Sequence, residues 1–283
     1  MMDAESTFKE ISEYIKNEKN DEASELTRDL AASTDDISIM LKCASLLKVI
    51  EDEEGCQDII DDVLNKVEDD DPRNFDIGLS IRALGRAEDA FGLMKCYRTD
   101  DDRIPEVART LMLIDESEEA LSMMTKRGCK SIDDRILLCD ILCSLGEFAK
   151  AQHEAEDIVK ENGASYKPLL NLVTVLMKKG DVKNAIKVAK EHLKEDKKNA
   201  ESLALQAYVM YISGKIPAAA NYANRALQID YSNIGALEVM AMCFIEKGKY
   251  KEAKLLAGVI NEKDPLDPSV MRILDACRIT SSS

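Results

Sequence analysis

Cys139 and Cys143 stand four residues apart, a spacing that puts two thiols on one side of a helix. Together they would form half of a metal site, or one of them would serve as a nucleophile. Zinc sites draw on Cys and His, and this chain holds only His153 and His192 and no CxxC. The other reading of the eight cysteines is that they are small apolar residues at helix-packing positions, kept reduced in a cytosol. Paired carboxylates occur at Asp61-Asp62, Asp101-Asp102 and Asp133-Asp134. They fall at expected helix starts and outer faces, where negative charge favours the helix N-terminus without any reaction. The Asp-rich stretches lack the alternating ligands and central Gly of a calcium loop. No GxSxG, HExxH or GxxxxGK[ST] motif is present. The sequence therefore predicts no enzyme, no metal and no cofactor.

These residues belong to a chain of 283 amino acids, 45% apolar but only 5% aromatic and without Trp. Such a composition suits helices packed through Leu, Ile and Ala better than a β-sandwich. Six Pro and twelve Gly are too few for a turn-rich β protein. No run of about eighteen apolar residues exists, so no transmembrane helix is expected. The start, Met1-Met2-Asp3-Ala4-Glu5, lacks the basic residues and apolar block of a secretory signal. A cytoplasmic location is the expectation.

The net charge of −16 is unevenly placed. Residues 1–150 hold 37 acidic and 19 basic side chains, and residues 151–283 hold 17 and 19. The first half repels phosphate backbones, which argues against nucleic acid as a partner. It would steer a basic partner, or it is a solvated, solubilising surface.

The elements that carry these residues follow from a spacing. Gly146, Gly180, Gly214 and Gly248 lie thirty-four residues apart, each with apolar residues before it and Ala five places after it. That is the mark of stacked helical hairpins. Taking Glu51, Gly85, Asp115 and the four glycines as turn residues, the positions seven before are Ala44, Gly78, Ala108, Cys139, Val173, Ala207 and Ala241. The positions five after are Cys56, Ala90, Ala120, Ala151, Ala185, Ala219 and Ala253. Two antiparallel helices joined by a short turn approach closely only where both are small, and a larger residue would overpack the crossing at a cost of about 1–3 kcal/mol.

Taken in order, residues 1–35 read as a degenerate terminal hairpin, and Ser33-Thr34-Asp35-Asp36 offers a cap for a helix from Ile37. The third and fourth units are short, and we read them as having trimmed second helices, not a domain boundary. The expected organisation is 1–131, degenerate and acidic; 132–267, four regular units; and 268–283, a capping helix from Pro268 with a frayed tail at 279–283. All three form one continuous solenoid.

The pattern resembles the tetratricopeptide repeat (TPR) family. Phe148, Val182, Ile216 and Tyr250, two places after the turns, match its large apolar site, and Val63, Ile158, Ala226 and Ile260, twelve places after, match its inward site, where His192 also falls. Asp230-Tyr231-Ser232-Asn233 and Asp264-Pro265-Leu266-Asp267 match its Asp-Pro-x-Asn close. The resemblance implies an all-α, right-handed superhelical solenoid of about eight antiparallel hairpins plus a capping helix. It also implies a concave groove lined by the first helix of each hairpin. Groove candidates are Lys167, Leu170, Thr174, Met177, Lys178, Ala204, Tyr208, Tyr211, Glu238, Met242 and Ile245, some of which would instead pack between hairpins.

Family members that grip chaperone C-termini use Lys, Asn and Arg as a carboxylate clamp. The corresponding residues here are Ile136, Asp140, Asn171, Glu201 and Leu205, of which only Asn171 fits. The expected function is a non-enzymatic scaffold that binds a protein or peptide segment, not a chaperone tail. The alternative is a self-assembling accessory subunit of a larger complex. The oligomeric state is left open.

Overall fold

Seven turns close the same way. In each, the residue after the turn position donates its main-chain N–H to the carbonyl five residues back, as in Asp52 to Leu47, Glu147 to Leu142 and Lys215 to Met210, at 2.8–2.9 Å. This is the Schellman closure, and it needs a left-handed residue at the turn. Gly85, Gly146, Gly180, Gly214 and Gly248 supply it with φ between 70° and 93°. Glu51 and Asp115 adopt it at φ 68° and 62° without the freedom of glycine.

The computed structural model describes residues 3–17, 19–163, 165–195, 199–263 and 267–281. Among them there are α-helices and one 3-10 turn, Lys95–Tyr97, and no strand. They divide into two compact units, one ending at Cys96 and the other beginning at Tyr97. This division falls at the end of the third hairpin, upstream of the register change expected near residue 131.

The first unit holds three hairpins. Helices α1 (Ala4–Lys16) and α2 (Asn20–Ala32) pair, as do α3 (Ile37–Val49) with α4 (Glu53–Lys66) and α5 (Asn74–Ala83) with α6 (Ala87–Met94). Ile11, Leu30, Met40, Leu47, Ile60 and Ile81 make its core. The Asp36 carboxylate caps α3 by accepting from the Ser38 and Ile39 amides. Asp52 caps α4 through the Gly55 amide at 2.9 Å and also binds Arg28 of α2, with Nε 2.7 Å from Oδ2. A Cβ on Gly55 would meet Arg28 Nε at 2.6 Å, so glycine here makes room for the clip.

The second unit holds five hairpins and a cap. The pairs are α7 (Ile104–Leu113) with α8 (Ser117–Arg127), α9 (Ile132–Ser144) with α10 (Phe148–Asn162), and α11 (Tyr166–Lys178) with α12 (Val182–Glu195). Helices α13 (Ala200–Ile212) and α14 (Ile216–Ile229) follow, then α15 (Ile234–Ile245) with α16 (Tyr250–Lys263), and α17 (Pro268–Ser281) packs on both helices of the last pair. Val270, Ile273, Leu274 and Cys277 bury its apolar face. The helix runs on through Ser281, so 279–281 continue α17 instead of fraying. Asp264, Pro265 and Leu266 lie outside the described residues.

The small residues on both sides of the turns are buried without exception, which is the expected crossing. Val173, the one larger member, is fully buried with them. The trimming of the third and fourth hairpins is shared between their helices. The second helices α6 and α8 have 8 and 11 residues, and the first helices α5 and α7 have 10 each. Most regular hairpins use 12–15 residues per helix, as α10 and α15 do at the two extremes.

Candidate functional site

The first helices α9, α11, α13, α15 and α17 of the second unit are stitched to one another by polar pairs roughly one repeat apart. Lys167 pairs with Asp133, and Lys178 Nζ donates to Asp140 at 3.0 Å. Thr174 lies beside the Tyr208 hydroxyl. The Tyr211 hydroxyl donates to Glu246 at 3.3 Å. Glu238 accepts from Arg272 Nε at 2.8 Å and from Ser269 Oγ at 3.1 Å. Thus Lys167, Lys178, Tyr211 and Glu238, all groove candidates, are already engaged with partners on neighbouring helices.

Between these pairs sit Leu170, Met177, Tyr208 and Tyr211, half-buried and packed against the apolar core of the unit, with Met242 half-buried further along. Burial first, and then the Glu246 carboxylate, push the Tyr211 phenol up to about 12. Tyr208 is also raised by burial, with the neighbouring Thr174 acting against it. Both phenols stay protonated at neutral pH, and Tyr211 acts as a donor to Glu246.

Two candidates do not line the face. Ala204 is 1% exposed and packs with Leu203, Ala226 and Ala236, against Tyr166. Ile245 is 6% exposed. At Ala204, ten places before the turn, Tyr166 of the preceding hairpin packs over the space. The sequence reading missed the partners Asp133, Asp140, Glu246 and Arg272. Their signal was complementary polarity at separations of 34 to 38 residues.

The residues singled out for chemistry are dispersed. Cys139 is fully buried, donates to the Ala151 carbonyl at 3.6 Å and accepts from Asn171 Nδ2 at 3.5 Å. Burial pushes its thiol up to about 11 and raises Cys143 as well, the reverse of what a nucleophile needs. Cys96 and Cys129 depart from the packing reading and are exposed. His153 is exposed with Nε2 3.7 Å from Asp157, and His192 is half-buried. Among the described residues no three metal-ligating side chains converge. No helix among them is long and apolar enough to cross a membrane.

This is the fold of a tetratricopeptide-repeat protein. A TPR protein from Parabacteroides merdae aligns with a TM-score of 0.50 at 11% identity, over 86% of this chain and 98% of that one. A thermophilic TPR protein of Thermus thermophilus aligns at 0.46 and 14%, over 63% and 99%. YrrB, a TPR protein described as having an unusual peptide-binding site, aligns at 0.34 and 13%, over 63% and 94%. Residues 178–257 match the family described as anaphase-promoting complex, cyclosome, subunit 3. No curated protein sequence matches the chain.

Proposed function

We propose that the protein is a non-enzymatic interaction scaffold that holds a peptide or protein segment along the first-helix face of its second unit. The observation that carries this is the row of half-buried Leu170, Met177, Tyr208, Tyr211 and Met242 between fixed charges. Flexible Met and rigid Tyr side chains suit aliphatic anchors of an extended or helical segment. A chaperone-tail carboxylate is a poor fit. Asn171, the one matching clamp residue, is buried against Cys139, and Asp140 and Glu201 would repel it. The acidic first half favours a basic region in the same partner.

A photo-crosslinker at Met242, used in the native source, should trap a polypeptide. The double variant Lys167→Glu, Tyr211→Ala should lower the yield at least fivefold. An empty crosslink, or an unchanged yield in the variant, counts against the reading. Self-assembly is the second reading, because Leu255 and Val259 lie four apart on α16 and are 71% and 44% exposed. A mass by light scattering that stays monomeric at high concentration removes it.

A further inference from the structure

Gln206 lies near the middle of α13, is 1% exposed, and neither its amide nitrogen nor its oxygen makes a hydrogen bond. It forms the floor of a cleft of about 250 Å3 on the second-helix side of the stack. Lys190, Leu193 and Lys194 of α12 make one wall, and Tyr222 and Arg225 of α14 make the other. The Arg225 guanidinium lies 5.4 Å from the Tyr222 ring centre. Among the described residues, none of the three cations has a carboxylate within salt-bridge distance.

The repeat supplies its own control. A smaller cleft of about 160 Å3 occurs one hairpin earlier. There the places of Lys190, Gln206, Tyr222 and Arg225 are taken by Glu156, Leu172, Val188 and Glu191, each thirty-four residues upstream. One hairpin later the same places hold Asn224, Met240, Leu256 and Val259. Packing at the floor is thus met by Leu or Met, and the rim tolerates either sign of charge. Only the middle hairpin combines a buried amide with an all-cationic rim. A leucine would remove the unmade hydrogen bonds, so stability does not explain the glutamine.

We infer that this cleft binds an acidic peptide segment of a partner protein, seating one carboxylate side chain among Lys190, Lys194 and Arg225 and pairing a main-chain amide with Gln206. Both Gln206 amide atoms are buried and unpartnered, so the side chain turns into the cleft to meet a peptide group, which complements its adjacent donor and acceptor as a simple anion does not. The cleft is below the roughly 300–1,000 Å3 of pockets for drug-sized ligands, so it takes one residue of a chain, not a whole nucleotide. The site lies on second helices and stands independently of the first-helix face.

The probe is an acetylated, amidated peptide of alternating Glu and Gly, compared with its Gln counterpart and with sulfate. Binding to the full chain is followed by fluorescence anisotropy and by the Gln206 side-chain amide resonance. The Glu peptide should bind at least tenfold tighter than the Gln peptide and shift that resonance. Gln206→Leu should lose at least fivefold in affinity while melting at a higher temperature. Arg225→Glu should lose at least tenfold without changing the melting temperature, and Tyr211→Ala should bind as the parent does. Unchanged binding by Gln206→Leu would reduce the cleft to diffuse charge attraction and overturn the inference. Equal displacement by sulfate, or no binding of the Glu peptide, would do the same. A fall in the solution mass of Arg225→Glu would assign the cleft to a second copy of this chain and overturn the partner.

Discussion

Hairpins in the first 134 residues and those from 166 to 263 share one turn, one crossing and an apolar core, but the former add ion pairs with a buried member. In the early region Asp52 is clipped by Arg28, Lys48 by Glu53, and Asp134 by Arg127, with at least one side chain of each pair no more than 14% exposed. In the later region the ion pairs made within a single helix, Lys187–Glu191 and Lys249–Glu252, are over 40% exposed on both sides, and Glu238, paired with Arg272, is still 24% exposed. Exposed pairs contribute about 0–1 kcal/mol, whereas breaking a buried one costs several times more. The apolar crossing therefore packs every hairpin, and polar clips supplement it where the repeat has decayed.

The strongest way to break this contrast is at Asp134, the third residue of α9. Its carboxylate accepts from Arg127 and from the Lys130 and Ser131 amides, at 2.7–3.1 Å. Burial opposes ionisation, but these donors hold the carboxyl below its usual range. Asp134→Ala leaves the buried Arg127 guanidinium with only Asp101 and the Gly128 carbonyl and should destabilise the second unit by about 3 kcal/mol in urea unfolding. A loss no greater than that of an exposed pair such as Lys187→Ala would end the claim.

Acid sharpens the comparison. The Arg28 hydrogen bonds hold the Asp52 carboxyl at about 2, below its unfolded 3.8. A depressed carboxylate stabilises the fold above the unfolded value, and that contribution fades as pH falls through the folded one. The first unit should therefore lose about 2 kcal/mol between pH 5 and pH 2 on this account. In Asp52→Asn that portion of the pH slope should vanish.

The smallest effect has the opposite sign. Asp115 holds the left-handed turn without glycine's freedom. Asp115→Gly should raise stability by about 0.5–1 kcal/mol, the left-handed strain less the added freedom of the unfolded chain. Gly180→Ala, with φ of 86°, should lower it by a similar amount. If the two changes move the melting temperature the same way, the turns are not equivalent.

The crossings and turns were legible because a steric rule repeated every thirty-four residues leaves the same mark each time. Which groove candidates would pack between hairpins was not legible, because the turn register alone does not say that Ala204, beside Tyr166, and Ile245 are buried. The Arg28–Asp52 clip joins residues 24 apart with no recurrence, so nothing in the pattern marks it. Gln206 carries no motif and is marked only by contrast with its own counterparts in the chain, Leu172 and Met240.

The Schellman closure has a consequence for how the chain acquires its structure. Each turn is sealed by main-chain bonds spanning five residues, and each crossing joins side chains twelve apart. Every hairpin can therefore close as soon as its own thirty-odd residues are present, without waiting for distant sequence. Contacts this local favour rapid folding, and stacked repeats can nucleate at any unit and spread to the next. Within each unit, a chain emerging from the ribosome would leave only its newest hairpin face uncovered.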